Sequence, residues 1–425
     1  MKNNTMQQAI FWMVIAFGIF LIIDIYTFQA IKLAFGNHTW INVVYWLITL
    51  FVLGYMIYST QSYDRASAPQ KIINNFMGLM VLSYVPKLLI IVFLFSEDLF
   101  RVVQGSIVFL VDFFSQGSSG QEEASYIPGR RKFISQIGLA LAAIPLGSIL
   151  YGIYKGKYNF RVIRQTVFFE DLPEEFDGFT IAQISDIHSG SFTNKEKITY
   201  GVDLVNEQNA DMIVFTGDLV NNKADEMEPW MDVFGKLNAP YGMYSILGNH
   251  DYGDYVTWPS DQAKADNLDR LKEVHKELGF KLMLDESTKI EKGSSSIDLL
   301  GIQNWGAGGF AKYGDFEKAL SQADKESFKV LLSHDPSHYD SQVKNHDTKI
   351  DLTLSGHTHG MQFGIEIPGW LKFSPVQFRY PKWAGLYEEN KRHLYVNRGF
   401  GYLAFPGRVG IWPEITMIEL KKKQA

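Results

Sequence analysis

The stretch Leu354-Ser355-Gly356-His357-Thr358-His359-Gly360 is a run of apolar and small residues that ends in two histidines one residue apart. On an extended segment side chains alternate with period two, so both imidazoles project to the same side. Gly356 and Gly360 let the backbone turn tightly around them. Taken alone, the stretch is either a chelating pair for one ion or a polar loop whose histidines are merely solvated. What separates the two readings is whether the same design recurs elsewhere in the chain.

It does recur. Phe179-Thr180-Ile181-Ala182-Gln183-Ile184 runs into Ser185-Asp186-Ile187-His188, and Asp211-Met212-Ile213-Val214-Phe215-Thr216 runs into Gly217-Asp218-Leu219. Tyr244-Ser245-Ile246-Leu247 ends at Gly248-Asn249-His250-Asp251, and Phe328-Lys329-Val330-Leu331-Leu332 ends at Ser333-His334-Asp335-Pro336. Near-continuous apolar strands imply a sheet covered on both faces. Lys195 to Asn206 and Asp266 to Leu278 carry helix-like spacing and supply cover. In open α/β sheets ligands bind beyond the carboxyl ends of the strands, which is where every one of these polar motifs falls. The pattern predicts a shared metal site.

Asp186-x-His188, Gly217-Asp218, Gly248-Asn249-His250-Asp251, His334 and Gly356-His357-x-His359 resemble, in order and spacing, the calcineurin-like metallophosphoesterase family. The resemblance runs from about Tyr158 to the C-terminus. Within the family the chain is most similar to bacterial membrane-associated phosphodiesterases, through a twin-arginine-like stretch described below and through Val396-Asn397-Arg398-Gly399-Phe400-Gly401 and Pro413-Glu414-Ile415. The resemblance implies an α/β fold, a four-layer α/β/β/α sandwich over residues 156–425. It also implies a binuclear centre of two divalent ions, with Asp186, His188 and His359 on one metal, Asn249, His334 and His357 on the other, and Asp218 bridging. His357 and His359 then divide between the ions. His250 resembles the family's non-ligand catalytic histidine, which stabilises developing charge or protonates the leaving oxygen, and Asp251 is expected to orient it. Nitrogen and oxygen donors without thiolates suit Mn, Fe, Zn, Co or Ni alike. The reaction implied is hydrolysis of a phosphodiester or pyrophosphate bond by a hydroxide that two metals activate, on a phosphate ester that is lipid-linked or belongs to the envelope.

The first third is of another character. Hydrophobic residues make up 46% of the chain and aromatic residues 14%, and the excess sits before about Tyr154. Ile10 to Ile31, Trp40 to Tyr58, Phe76 to Phe95 and Phe133 to Tyr154 are each long enough to cross a hydrocarbon core of about 30 Å. Val102 to Phe114 is short, and reads as a tilted span, a re-entrant piece or an interfacial helix. Four or five crossings are expected, within residues 1–115 and 133–154, joined by a linker over 116–132 that opens on the small, polar run Ser115 to Glu123. Asp24 and Lys87 lie at membrane depth, where charge is costly; they pair with each other or, the reading preferred from sequence, snorkel to an interface. Gly129-Arg130-Arg131-Lys132-Phe133-Ile134-Ser135 resembles a twin-arginine export signal or is the basic flank of an ordinary span. Either places the arginines in the cytoplasm and the following domain outside, as part of a multi-pass protein of a bacterial cell membrane.

A net charge of −6 argues against nucleic acid as a partner; the apolar first third implies membrane lipid as a partner, and the resemblance implies a phosphate ester. The chain has no cysteine, which excludes thiolate metal sites and disulfides. His338 is discounted because Pro336 interrupts its pairing with His334, and His275, His346, His393 and His38 lack motif character. Tyr252 to Gln262 is a rim over the site or ordinary surface packing. The aromatic-rich stretch from Trp370 to Trp412 is a membrane-facing surface or the closing strands of the second sheet. Arg398 is the candidate substrate-binding residue, with Arg379 and Arg408 also available for phosphate or headgroup. A reading from a different class makes the membrane segment a transporter or sensor that carries a non-catalytic metallophosphoesterase-like domain.

Overall fold

The computed structural model describes the chain apart from residues 1, 68–69, 115–127, 368 and 424–425. The linker expected over 116–132 therefore lies outside the described residues up to 127, and residues 128–132 already belong to the helix that follows. Two compact units emerge: Met1–Ser62 with Phe76–Leu150, and Tyr63–Asn75 with Tyr151–Ala425.

The first unit consists of α1 (Lys2–Phe35), α2 (Thr39–Ser62), α3 (Gln70–Phe114) and α4 (Pro128–Tyr154), whose last turn from Tyr151 belongs to the second unit. All four helices are long and apolar enough to cross a membrane. Large apolar side chains such as Ile22, Leu50, Phe95 and Ile144 are exposed on them, as expected of helices whose solvent is hydrocarbon. Val102–Phe114 is no separate span but the continuation of α3. That 45-residue helix is ~68 Å long at 1.5 Å per residue, about twice the hydrocarbon thickness.

Asp24 and Lys87 do not snorkel. Asp24 is fully buried and is ion-paired with Lys87. Its carboxylate also accepts from Tyr45 and Thr49, each at 3.2 Å, and from Tyr84 at 3.2 Å. The Lys87 ammonium lies 4.9 Å from the Tyr84 ring centroid and 5.4 Å from that of Tyr45. The arginine pair is likewise engaged within the bundle: Arg130 pairs with Glu97 at 3.0 Å and Arg131 with Asp98 at 3.4 Å. Buried charge without a partner is the expensive case, so these pairings fix which faces of the helices meet.

In the second unit the strands are β1 (Arg161–Phe169), β2 (Thr180–Ile184), β3 (Met212–Phe215), β4 (Met243–Ser245), β5 (Lys281–Leu282), β6 (Glu286–Lys292), β7 (Ser295–Gly301), β8 (Lys329–Leu332), β9 (Leu352–Ser355), β10 (Ile365–Ile367), β11 (Leu371–Phe373), β12 (Gly385–Glu389), β13 (Arg392–Val396) and β14 (Glu414–Lys422). They form a six-stranded sheet of order β1-β14-β2-β3-β4-β5, a second of order β12-β13-β9-β8-β7-β6, and a separate β10-β11 hairpin. β2 to β5 run parallel, as do β7, β8, β9 and β13.

The two sheets pack face to face over Ile181, Val214, Leu299, Leu332, Leu354 and Ile418, all nearly inaccessible. The outer face of the first sheet is covered by α5 (Lys195–Asn206), α6 (Met231–Phe234) and α7 (Asp261–Glu277), and that of the second by α8 (Phe316–Leu320) and a helical turn at Tyr339–Val343. This is the expected four-layer α/β/β/α sandwich. α5 shows why these segments are helical. Asn194 caps it by accepting from the Lys197 amide at 2.8 Å, and Ile198, Val202 and Val205 bury one stripe. Each of those side chains contributes about 1.5–3 kcal/mol by burial, which outweighs the weak propensity of a short helix.

Candidate metal centre

Both parallel strand sets deliver their C-terminal loops to one place. Asp186 and His188 follow β2, Asp218 follows β3, Asn249 to Asp251 follow β4, His334 and Asp335 follow β8, and His357 and His359 follow β9. Hydrogen bonds between loops hold them there: the Asp186 amide donates to the Gly217 carbonyl at 2.9 Å and the His188 amide to the Asp218 carbonyl at 3.1 Å. Asp186, His188, Asp218, His357 and His359 all adopt positive φ, between 50° and 70°. For non-glycine residues this conformation costs roughly 1–2 kcal/mol each, and strain of this kind collects where a structure must aim side chains.

The side chains fall into two clusters, Asp186 with His188 and His359, and Asp218 with His334 and His357, each with its donor atoms within 4.8 Å of one another. The two histidines of the opening stretch thus face different clusters. His188 Nε2 and His359 Nε2 approach to 3.0 Å, and His359 Nε2 lies 3.2 Å from Asp186 Oδ1. Asp218 Oδ2 lies 3.5 Å from His188 Nε2 and 3.2 Å from His334 Nε2, between the clusters. His357 Nδ1 is 3.3 Å from His334 Nε2. Asn249 Oδ1 is buried with no hydrogen-bond partner among the described residues, while its Nδ2 donates to the Tyr255 hydroxyl at 2.8 Å. Converging nitrogens, a carboxylate shared between two clusters and an unsatisfied amide oxygen form a donor set that fits a pair of divalent cations.

Electrostatics prepare His188, His357 and the two carboxylates for ligation. Burial holds the His188 and His357 imidazoles below the usual range, in the neutral form that ligates. Burial works the other way on Asp186 and Asp218, but the surrounding histidines prevail and keep both carboxyls ionised. For His334, burial is overcome by the Asp218 carboxylate, and its pKa is pushed up to about 10. Its Nδ1 donates to the Thr216 carbonyl at 2.7 Å, which leaves Nε2 facing Asp218.

His250 stands beside the clusters, its ring 4.9 Å from that of His188 and 4.5 Å from that of Tyr255. Asp251 does not orient it. The Asp251 carboxylate accepts from the amides of Gly248, Asp218, Leu219 and Val220 at 2.8 to 3.3 Å, and so ties two ligand loops together. Burial, followed by the charge of Asp218, pushes its pKa up to about 7. What orients His250 is the main-chain carbonyl of Asn221, which accepts from Nδ1 at 2.7 Å. That loop is held by Glu226, whose carboxylate accepts from the amides of Asn221, Asn222 and Lys223 at 2.6, 3.1 and 3.2 Å.

Arg398 is not available to substrate. It is 6% exposed, forms a bidentate pair with Glu366 at 2.5 and 3.0 Å and contacts Glu414 at 2.5 Å. Arg408 is fully buried and donates to the carbonyls of Arg398, Gly399 and Gly401, beside His359 Nδ1 at 3.2 Å. Of the three arginines only Arg379 is exposed. The discounted histidines are structural: His275 bonds Ser245, His338 bonds Ser333 and Gln342, and His346 pairs with Glu317. Sequence reasoning missed Asn221, Glu226, Asp335 and Tyr380. The Tyr380 hydroxyl lies 2.9 Å from His357 Nε2 and donates to Asp335 at 3.2 Å. Asp335, adjoining His334 in a motif already noted, was the one with a signal; the others act through backbone or from distant loops. Tyr255 does line the site, whereas Trp258 bonds the Gly253 carbonyl of its own loop.

Residues 179–361 match the family described as Calcineurin-like phosphoesterase, and residues 7–157 match the one described as Probable Calcineurin-like phosphoesterase, transmembrane domain. The chain is 33% identical over 309 residues to "Uncharacterized metallophosphoesterase YkuE" of Bacillus subtilis, a match covering 69% of this chain and 97% of that protein. It is 29% identical over 333 residues to "Transmembrane protein with metallophosphoesterase domain" of Danio rerio, covering 76% of this chain and 70% of that protein. It is 27% identical over 314 residues to "UDP-2,3-diacylglucosamine pyrophosphatase LpxG" of Chlamydia muridarum, covering 62% of this chain and 91% of that protein.

Proposed function

Because this chain belongs to the calcineurin-like phosphoesterase family and carries that family's transmembrane region, we propose that it is a membrane-anchored, two-metal hydrolase of a phosphodiester or pyrophosphate bond, acting on a lipid-linked or envelope substrate. The observation that carries this reading is the position of Asp218 Oδ2 between the two ligand clusters. The relative described as a pyrophosphatase of a diacylated nucleotide sugar supports the choice of bond and of a lipid-linked substrate.

In this proposal Asp186, His188 and His359 would hold one divalent ion and Asn249, His334 and His357 a second, with the Asp218 carboxylate available to both. When bound, the ions supply positive charge for the phosphate oxygens and acidify the attacking water. The protein's own part is placement. Nδ1 of His250 is committed to the Asn221 carbonyl, so Nε2 is the nitrogen left for a proton or for the charge that develops on substrate oxygen. Asp251 and Glu226 keep the loops that carry Asp218 and His250 in register. The basic residues Arg130, Arg131 and Lys132 at the start of α4 support a catalytic domain outside the cytoplasm, by the positive-inside bias.

The test is metal-dependent hydrolysis of bis(p-nitrophenyl) phosphate by the full chain purified in detergent. Stripping with a chelator should abolish turnover, and adding back Mn, Fe, Zn, Co or Ni singly should restore it with at least one of them. Turnover that survives complete stripping refutes the proposal. A reporter fused after the C-terminus tests topology: activity characteristic of the cytoplasm would reverse the assigned side.

A further inference from the structure

The β10-β11 hairpin and the segment after it are built unlike the rest of the catalytic unit. Ile365, Ile367, Leu371 and Phe373 are exposed, Trp370 is 79% exposed and Phe378 is 83% exposed, and Met361 lies on the same segment at 58%. Elsewhere in this stretch the aromatics are used in packing: Trp383, Phe400, Tyr402 and Phe405 are buried. A cluster of exposed apolar side chains on one short hairpin marks an interaction surface. The hairpin's acidic residue, Glu366, is engaged in a bidentate pair with Arg398. Arg379, exposed one residue beyond Phe378, lies over the rings of Phe310 and Tyr380 at 5.5 and 5.8 Å.

What covers this surface follows from its neighbours within the same unit. Residues just before the hairpin pair with the loop at Val409: the Val409 amide donates to the Gln362 carbonyl at 2.8 Å and the Gly364 amide to the Val409 carbonyl at 3.0 Å. The same loop meets the last turn of α4. The Arg408 amide donates to the Gly152 carbonyl at 3.2 Å, and the rings of Trp412 and Tyr151 lie 5.8 Å apart, edge to face. A Cβ at Gly152 would come within 2.6 Å of the Arg408 carbonyl oxygen, so helix end and loop are in close contact. The helix end beside the hairpin therefore belongs to a helix long and apolar enough to cross a membrane, and tryptophan and tyrosine, as at Tyr151 and Trp412, favour the interfacial depth at which such a helix ends. The segment also adjoins the metal centre at both ends, through Ser374, which donates to the Gly360 carbonyl at 2.7 Å, and through Tyr380 at His357.

We propose that the β10-β11 hairpin, with Phe378, inserts into the headgroup and acyl boundary of the bilayer that α4 crosses, with Arg379 toward anionic headgroups, as amphipathic interfacial segments do. The occupant is the lipid surface. Such an arrangement brings the mouth of the metal centre to the membrane, and it stands independently of which phosphoester is hydrolysed.

The absence of cysteine makes the test clean. Trp370→Cys and Phe378→Cys are each labelled with an environment-sensitive fluorophore in the full chain, reconstituted in vesicles of phosphatidylcholine and phosphatidylglycerol. Lys289→Cys, on the exposed edge strand β6 of the second sheet, serves as the reference position. The expected result is strong quenching by doxyl-labelled lipid and protection from aqueous iodide at 370 and 378, with the reverse at 289. Iodide quenching without doxyl quenching at 370 and 378 would place the hairpin in water and overturn the proposal. Protection from both quenchers would assign the surface to a second copy or a protein partner, which also overturns it. Doxyl quenching in a protein that hydrolyses no phosphoester would remove the activity and leave the surface standing.

Discussion

Two of the chain's buried charged and polar clusters are organised in opposite ways. In the helical unit the Asp24 carboxylate is met by an ammonium and three hydroxyls, so the cluster is closed upon itself. In the catalytic unit like meets like: imidazole nitrogens face each other at 3.0 and 3.3 Å, Asp218 lies between histidines of both clusters, and Asn249 Oδ1 has no donor among the described residues. A closed cluster specifies packing. An open one, in which acceptors outnumber donors and strained backbone still holds them together, is built for something the chain does not supply. Burial alone does not distinguish function from architecture; the balance of donors and acceptors does.

The sharpest way to break the comparison is Asp218→Asn. Replacing the carboxylate shared by both clusters should lower metal-dependent hydrolysis of bis(p-nitrophenyl) phosphate by at least about a thousandfold, the upper range for losing a single charge-stabilising group, and should lower bound metal by elemental analysis. Thermal stability of the metal-free protein should also fall, because the surrounding histidines hold this carboxylate ionised and it accepts from the His250 amide at 2.8 Å. Unchanged turnover would mean the open cluster is not the catalytic one.

The opposite outcome is expected of Lys87→Met. Leaving Asp24 buried without its cation should destabilise the helical unit by about 3–5 kcal/mol, read as a lower melting temperature in detergent. Turnover per correctly folded molecule should be unchanged. The double variant Asp24→Leu with Lys87→Met should recover most of the loss, since a closed pair is replaceable by apolar packing. A double variant that folds but loses activity would instead give the membrane cluster a functional part.

How far this contrast was legible beforehand depends on the kind of residue. The convergence of Asp186, His188, Asp218, His334, His357 and His359 could be read because each follows an apolar strand, and strand ends in a parallel sheet converge whatever the sequence between them. Asp24 and Lys87 were visible as anomalies, but their pairing was not: they lie on α1 and α3, and a helix register cannot be inferred from hydropathy. Arg398 and Asp251 were assigned the wrong partners for a related reason. Both sit in motif-like surroundings, yet the Arg398 guanidinium is captured by Glu366 and Glu414 from distant strands, and the Asp251 carboxylate turns back to the amides of the β3 loop. Contacts to main chain leave no trace in side-chain identity. The Asn221 carbonyl that orients His250 could have belonged to any residue, and the Val102–Phe114 run read as separate because Ser96 to Asp98 interrupt hydropathy without breaking the helix.

A third buried group, neither paired with an opposite charge nor part of a ligand cluster, isolates burial itself. His275 is fully buried against Ser245, and burial alone pushes its pKa down to about 3. The unfolded chain takes up this proton near the ordinary value of 6.5, so the contribution to stability is complete above that pH and is lost as pH falls toward the folded value. At pH 5 the loss is about 2 kcal/mol. His275→Gln, which keeps a polar atom for Ser245, should flatten the fall in melting temperature between pH 7 and 5. An equally steep fall in the variant would assign the acid sensitivity elsewhere.

The smallest effect concerns Glu226, which sits between the two classes: its acceptors are satisfied, yet only by the loop that orients His250. In Glu226→Gln one carboxylate oxygen becomes an NH₂ that faces an amide donor, so the hydrogen bond to Asn221 or to Asn222 and Lys223 must give way. The expected result is a fall in kcat of roughly tenfold, about 1.4 kcal/mol, with KM and bound metal unchanged, because the ligands themselves do not move. Burial pushes the Glu226 pKa up to about 7, with its three amide bonds working against the rise. Folding therefore takes up a proton between the ordinary 4.5 and about 7. For stability, the contribution is present in full below 4.5 and is lost as pH rises through about 7. For catalysis the sign is reversed, since only the carboxylate accepts from all three amides. Activity of the native chain should thus decline as pH falls below about 7 while this group's effect on stability improves, and the Gln variant, resembling the protonated acid, should lose that part of the pH dependence. If kcat follows the same acid limb in both proteins, Glu226 holds a loop but does not position His250.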